Sequence, residues 1–110
     1  MKTMTEQRQQ VSHAFQTFLR EAPEHAQAWM QGVQQLASAS ALDEKTAELA
    51  YLAVLAAVRL ESGVPFHVQA AKQAGASRRE VISAILVGLP VVGHGVTQVL
   101  PAAIAAYDGQ

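Results

Sequence analysis

Apolar residues along this chain recur at helical spacing from its first segment onward. Val11, Ala14, Phe15, Phe18 and Leu19 fall at positions i, i+3, i+4, i+7 and i+8, which is the spacing of one buried helix face. This pattern predicts a first helix that is capped by Thr3 or Thr5 and ends at Ala22.

Pro23 predicts the end of the first helix and the first turn of a second, which runs to about Ala37. Trp29 is expected in the core. Small residues at Ser38–Ala41 form a linker but no domain boundary, because either half alone would leave an apolar face bare. The apolar stripe of the second helix consists of Ala26, Trp29, Met30, Val33 and Leu36–Ala37.

The third predicted helix contains the longest apolar run of the chain. Asp43 is its expected N-cap, and Glu44 in the first turn favours the positive end of the helix dipole. The run Leu49–Val58 is apolar on all sides, which is typical of a helix buried on most sides. Gly63 is expected to take the left-handed conformation that ends a helix.

Proline and glycine mark the start and end of the fourth helix. Pro65 suits its first turn and Gly75 its end. Phe66, Ala70 and Ala71 are expected to supply its buried side.

The last two helices complete an all-α fold of about six helices. Ser77 and Glu80 have the spacing of a capping box at the start of the fifth helix, which Gly88–Leu89–Pro90 should break. A sixth helix is expected to reach about Tyr107, with a kink at Pro101. Gly93 and Gly95 flank His94 and allow another backbone or a ligand to approach closely.

Composition narrows the classes of function. The chain has 110 residues, of which 50% are apolar, so we expect a single domain, 1–110, that self-associates to cover apolar surface. A net charge of −1 indicates neither a nucleic-acid nor an anionic-membrane partner. The absence of cysteine excludes disulfides and thiol chemistry. The polar N-terminus lacks a secretory signal, and no apolar run reaches the ~18–20 residues of a membrane span, so a cytoplasmic protein is expected.

Glu48 and His67 are the strongest candidates for chemistry. Glu48 stands at the front of the apolar run, and His67 lies just beyond the turn that follows it. A carboxylate beside a histidine could relay a proton to a small molecule. The alternative is that Glu48 is an ordinary first-turn carboxylate and His67 a packing residue.

Several segments resemble the carboxymuconolactone decarboxylase family, whose superfamily also holds the AhpD-type alkyl hydroperoxidases. The resemblance covers about residues 22–108 and depends on LDEKTAELAYLAVLAA, FHVQAAKQAGASRREVISAIL and VLPAAIAAYD. The nineteen-residue interval from Glu48 to His67 is its most specific part. It implies that the two side chains lie within hydrogen-bond reach, directly or through one water, with His94 or Gln98 nearby. The resemblance implies an AhpD-like helical fold, assembled as a homotrimer or homohexamer.

Members of the peroxidase branch of this superfamily carry a motif similar to E-x11-C-x2-C-x3-H. Aligning its glutamate and histidine with Glu48 and His67 places its two cysteines at Leu60 and Gly63. Neither residue can serve as the oxidisable nucleophile, so a thiol peroxidase is excluded.

The decarboxylase branch needs no cysteine and implies proton transfer by Glu48 and His67 to a small organic acid or lactone. The arginine that often precedes the glutamate in that branch is replaced by Ala47. No cofactor is expected. The alternative is a non-catalytic binding or scaffold module that has lost the redox cysteines of the AhpD-like fold.

Four further residues are candidates for substrate binding. Arg59 could pair with a substrate carboxylate, and Tyr51 could share the hydrogen-bond network of Glu48. His94 is expected to line either the pocket or a subunit contact, and Gln98, on the same helical face, to hydrogen-bond a ligand or lie at an interface. A metal triad of Glu48, His67 and His94 is a weaker alternative, and no metal is expected.

Overall fold

A computed structural model of the protein describes residues 11–110, and this part of the chain is helical with no strand. The predicted all-α class is therefore confirmed. The predicted cap at Thr3 or Thr5 lies outside the described residues. The chain divides into two compact units, Met1–Asp43 and Glu44–Gln110, while the single domain stays a prediction.

Two helices make up the described part of the first unit, α1 (His13–Glu21) and α2 (Pro23–Ala39). The Ser12 hydroxyl caps α1 by accepting a hydrogen bond from the backbone N–H of Phe15 at 3.1 Å. Pro23 occupies the first turn of α2, as predicted, because its missing N–H has no partner to lose there.

Trp29 is not a core residue, contrary to the prediction. Its indole packs against the rings of Phe15 and Phe18, with centroid distances of 5.6 and 6.4 Å. Half of its surface (50%) stays exposed because α1 covers only one side of it with these two rings. Of the predicted α2 stripe, Ala26 alone among residues 23–39 is buried.

The second unit contains the larger core. Leu52 and Ala56 of α3, Val64 and Val68 of α4, and Ile85 of α5 are fully buried in it. Its helices are α3 (Glu44–Ala57), α4 (Val64–Gln73), α5 (Arg78–Leu86), α6 (Leu89–Val92) and α7 (Leu100–Asp108), with 3-10 segments at Glu61–Gly63 and His94–Val99.

α3 is buried on one side and exposed on the other, so the predicted burial on most sides is wrong. It packs against α4, α5 and the second 3-10 segment. Leu52 and Ala56 are completely buried there, whereas Tyr51, Val54 and Val58 are 44%, 62% and 66% exposed. These three residues lie at i, i+3 and i+7 and form one stripe, which we call the α3 apolar stripe.

α3 ends at a left-handed residue, but this residue is Arg59 and not Gly63. Arg59 has φ 57°, whereas Gly63 has a right-handed φ of −85°. The backbone N–H of Arg59 donates to Ala56 O and that of Leu60 to Leu55 O, at 3.2 and 2.9 Å. This pair of bonds is a Schellman motif, in which glycine usually occupies the left-handed position.

The predicted boundaries of α4 and α5 agree with the structure. Gly75, at φ 99°, follows the last turn of α4. Ser77 and Glu80 form the capping box: the Ser77 hydroxyl accepts from Glu80 N at 3.0 Å, and the Glu80 carboxylate accepts from Ser77 N at 2.9 Å. α5 ends at Leu86, before the predicted break at Gly88–Leu89–Pro90.

The predicted sixth helix is divided into three pieces, with no kink at Pro101. Gly93, at φ 84°, separates α6 from the second 3-10 segment, and α7 starts at Leu100. Pro101 lies in the first turn of α7. In the interior of a helix its ring would clash with the carbonyl group one turn earlier, and in the first turn this clash is avoided.

Polar contacts fix α7 on α4 and α5. The Tyr107 hydroxyl donates to Ala76 O at 2.9 Å, and Lys72 Nζ donates to Tyr107 O at 2.7 Å. Arg78 forms two hydrogen bonds with Asp108 at 3.0 and 3.2 Å. Within residues 11–110 no helix has the length and apolarity needed to span a membrane, and the cytoplasmic location stays a prediction.

Candidate functional site

Glu48 and His67 meet where α3 packs against α4. The His67 Nδ1 atom lies 2.8 Å from the Glu48 Oε2 atom, so the predicted hydrogen-bond contact is present. The side chain of Glu48 is 16% exposed and that of His67 is 30% exposed. The carboxylate is thus largely shielded, while the imidazole still reaches the surface.

This contact fixes the orientation and the tautomer of His67. A carboxylate only accepts hydrogen bonds, so when Glu48 carries its negative charge the hydrogen between the two groups is on Nδ1. The other ring nitrogen, Nε2, is then the atom available to a ligand, as an acceptor in the neutral ring and as a donor in the charged ring.

Two aromatic rings border the His67 imidazole. The Tyr51 ring lies 5.4 Å from it, centroid to centroid, with an interplanar angle of 66°, and the Phe66 ring lies 5.2 Å from it at 85°. Tyr51 thus contacts His67, and within residues 11–110 it makes no hydrogen bond with Glu48. Phe66 is 48% exposed, which contradicts its predicted place on the buried side of α4.

Sequence reasoning missed the position of Phe66 beside the site. Val64, Val68 and Ala71 are the buried residues of α4, and their i, i+4, i+7 spacing defines its core face. Phe66 is two residues after Val64, a rotation of about 200° around the helix, and therefore points away from that face. The spacing of the two valines could have revealed this.

Arg59 reaches from the end of α3 to the second 3-10 segment. A Cβ atom at position 95 would lie 2.9 Å from both Nε and Nη2 of Arg59, so glycine is what allows the guanidinium to rest there. The group that approaches Gly95 is thus the Arg59 side chain, and not another backbone or a ligand as predicted. Among residues 11–110 the guanidinium has no hydrogen bond or ion pair, which leaves it available to an anion.

His94 and Gln98 do not share a helical face as predicted. Both lie in a 3-10 segment, where residues three apart are aligned and residues four apart are not. Both are exposed, and in the described part of the chain neither hydrogen-bonds Glu48 or His67. No group of three histidine or acidic side chains within residues 11–110 is arranged to hold a metal ion, so Glu48, His67 and His94 do not form a triad.

Comparison with known families identifies the family to which the chain belongs. The model of the carboxymuconolactone decarboxylase family matches residues 23–107, which include both Glu48 and His67. The chain belongs to this family. No curated protein and no solved structure matches it.

This member of the carboxymuconolactone decarboxylase family has no sulfur at the positions aligned with the peroxidase cysteines. Leu60 is 52% exposed just before the first 3-10 segment. At Gly63 a Cβ atom would lie 3.1 Å from Cδ2 of Leu55, so Leu55 occupies the space beside that position. The acid–histidine pair is present without a thiol that could be oxidised.

Proposed function

We propose that this protein acts on a small organic acid or lactone by proton transfer through His67 and Glu48, as a carboxymuconolactone-decarboxylase-like enzyme. The observation that carries the proposal is the 2.8 Å contact between Nδ1 of His67 and Oε2 of Glu48. It leaves Nε2 as the reactive atom on a ring that is still accessible.

The proposed reaction assigns one task to each residue. When the C–C bond to the carboxylate breaks, carbon dioxide leaves and the electron pair stays on the substrate carbon. That carbon takes a proton from Nε2 of the charged imidazole, which then regains a proton from solvent. Glu48 holds Nδ1–H and stabilises the positive charge of the ring before transfer.

Substrate binding is assigned to Tyr51, Arg59, His94 and Gln98. Tyr51 offers an apolar wall beside His67. Arg59 provides a guanidinium for the substrate carboxylate, for which a planar fork of donors is well suited. His94 and Gln98, exposed on the second 3-10 segment that Arg59 contacts, are assigned to the outer part of the substrate site.

We also propose that the protein is a homotrimer or homohexamer. The support is the α3 apolar stripe, since its Val54 and Val58 are 62% and 66% exposed and are suited to contact with a second copy of the chain.

Release of carbon dioxide from unsaturated lactone carboxylic acids tests the proposed reaction. The wild type should turn over at least one such acid, with a rate that depends on protonation of His67. His67→Gln should lower kcat about 100-fold or more, and Glu48→Gln about 10- to 100-fold. Val91→Ala, on the 83% exposed Val91 of α6, is the control and should act as the wild type does.

Two results would count against the enzyme. Equal turnover by His67→Gln and wild type would show that the His67 imidazole does not take part in the reaction. Saturable binding of the acids without turnover, unchanged in Glu48→Gln, would favour the non-catalytic module instead.

A further inference from the structure

We infer that Phe66 determines substrate specificity: its exposed ring stacks on a planar, conjugated ring of the substrate and holds that ring perpendicular to the His67 imidazole. This inference rests on the proposed function. It adds the residue that would select a flat, unsaturated ring over a puckered, saturated one.

Phe66 is placed for contact with a ligand rather than for packing. The core face of α4 is formed by Val64, Val68 and Ala71, and the fully buried core does not include Phe66. Phe66 is 48% exposed as a residue, next to a His67 side chain that is 30% exposed. An aromatic ring beside an accessible imidazole offers a face on which another flat ring can stack.

The orientation of Phe66 suits the chemistry proposed for His67. The Nε2–H bond lies in the plane of the imidazole. To deliver a proton to a ring carbon of the substrate, this bond must point along the normal of the substrate ring, where the π orbital lies. The normal can lie in the imidazole plane only if the two rings are perpendicular.

A substrate ring stacked on Phe66 fulfils this condition, because stacked rings are nearly parallel and the Phe66 ring makes an angle of 85° with the imidazole. A ring stacked on Tyr51 fulfils it less well, because the Tyr51 ring makes an angle of 66°. The geometry therefore assigns the stacking surface to Phe66 and leaves Tyr51 as a second wall.

Two carboxylates of equal carbon number and charge test the inference. Benzoate has a flat, conjugated ring, and cyclohexanecarboxylate has a puckered, saturated ring. Both are titrated into the full chain while the NMR signals of the His67 imidazole are followed, with His67→Gln used to assign these signals among the four histidines. The dissociation constant of each ligand is measured for wild type, Phe66→Leu, Phe66→Tyr and the control Val91→Ala.

Stacking should make benzoate bind about two- to tenfold more tightly than cyclohexanecarboxylate in the wild type. Phe66→Tyr keeps the ring and should keep this ratio, as should Val91→Ala. Phe66→Leu keeps an apolar side chain without a flat face and should bring the ratio to about one. Because Phe66 is half exposed, circular dichroism should show the same helix content for each variant.

Failure of the inference and failure of the proposed function give different results. An unchanged ratio in Phe66→Leu would overturn the inference and leave proton transfer by His67 intact. A ratio that depends on Phe66, in a protein that releases no carbon dioxide from any lactone acid, would support the stacking surface and count against the enzyme. Absence of any His67 shift with either ligand would overturn the inference.

Discussion

Arg59 occupies a backbone conformation that natural helices usually assign to glycine. Its φ of 57° closes the Schellman motif at the end of α3, whereas Gly75 and Gly109 occupy the left-handed positions after α4 and α7. A left-handed conformation costs an L-residue about 1–2 kcal/mol. Strain of this kind is concentrated at functional sites, and here it aims a guanidinium across Gly95.

Replacing Arg59 by glycine and by alanine separates the strain from the function. Arg59→Gly should unfold at higher urea than Arg59→Ala, with a difference of about 0.5–1 kcal/mol, because glycine relieves the strain but has more freedom in the unfolded chain. Both variants lack the guanidinium, so both should bind a carboxylate ligand less tightly than wild type and by the same factor. A lower unfolding midpoint for Arg59→Gly than for Arg59→Ala would show that the left-handed residue is not strained, because only the extra freedom of glycine in the unfolded chain would then separate the two variants.

At the scale of single residues, the sequence predicted which two side chains meet in the site better than it predicted the positions of other candidate side chains. The contact of Glu48 with His67 was predictable because the interval between them resembles that of a known family. The position of the Arg59 side chain was not, since Gly63 was the residue expected in the left-handed conformation, and glycine tolerates that conformation without requiring it.

The first turn of α5 is attached to two other helices through carboxylates. Arg78 pairs with Asp108 of α7, and Glu80 pairs with Lys45 of α3 at 2.9 Å. Hydrogen bonding to Arg78 lowers the pKa of Asp108 below its usual 3.8. Hydrogen bonds from Lys45 and from the Ser77 backbone lower the pKa of Glu80 below its usual 4.5.

Acid should therefore loosen these connections between helices. Because both pKa values are lower in the folded chain, the unfolded chain binds more protons below about pH 4.5, and acidification favours unfolding. The stabilisation is complete above the ordinary pKa values and is lost as the pH falls through the lowered ones. The urea midpoint of the wild type should thus decrease from pH 6 to pH 3.

Asp108→Asn removes one of the two titrating carboxyl groups. It should lower the midpoint at pH 6 and make the loss between pH 6 and pH 3 smaller. Glu61→Gln is the control, because Glu61 is exposed and has no ion pair among residues 11–110, and its pH profile should follow the wild type. An identical acid loss in Asp108→Asn and wild type would contradict the role of this pair.

At the scale of elements, local chemistry was predictable and three-dimensional packing was not. The capping box at Ser77 and the start of α2 at Pro23 depend on residues within one turn, and both were predicted correctly. The exposed side of α3 was not predicted, because an apolar run looks the same whether its neighbours cover all of it or half. The kink expected at Pro101 became a helix start for a similar reason, since proline is compatible with both.

At the scale of the whole molecule, the α3 apolar stripe is the surface to test for self-association. Val54 and Val58 are 62% and 66% exposed, so a charge at Val54 should leave the core around Leu52 and Ala56 intact. Light scattering at micromolar concentration should give three or six times the 11.7 kDa of one chain for the wild type. Val54→Glu should shift the mass toward one chain, because association would then bury a charge in an apolar contact. Gln73→Glu, the same charge at the exposed end of α4, should keep the assembly, and a monomer mass for the wild type would rule the assembly out.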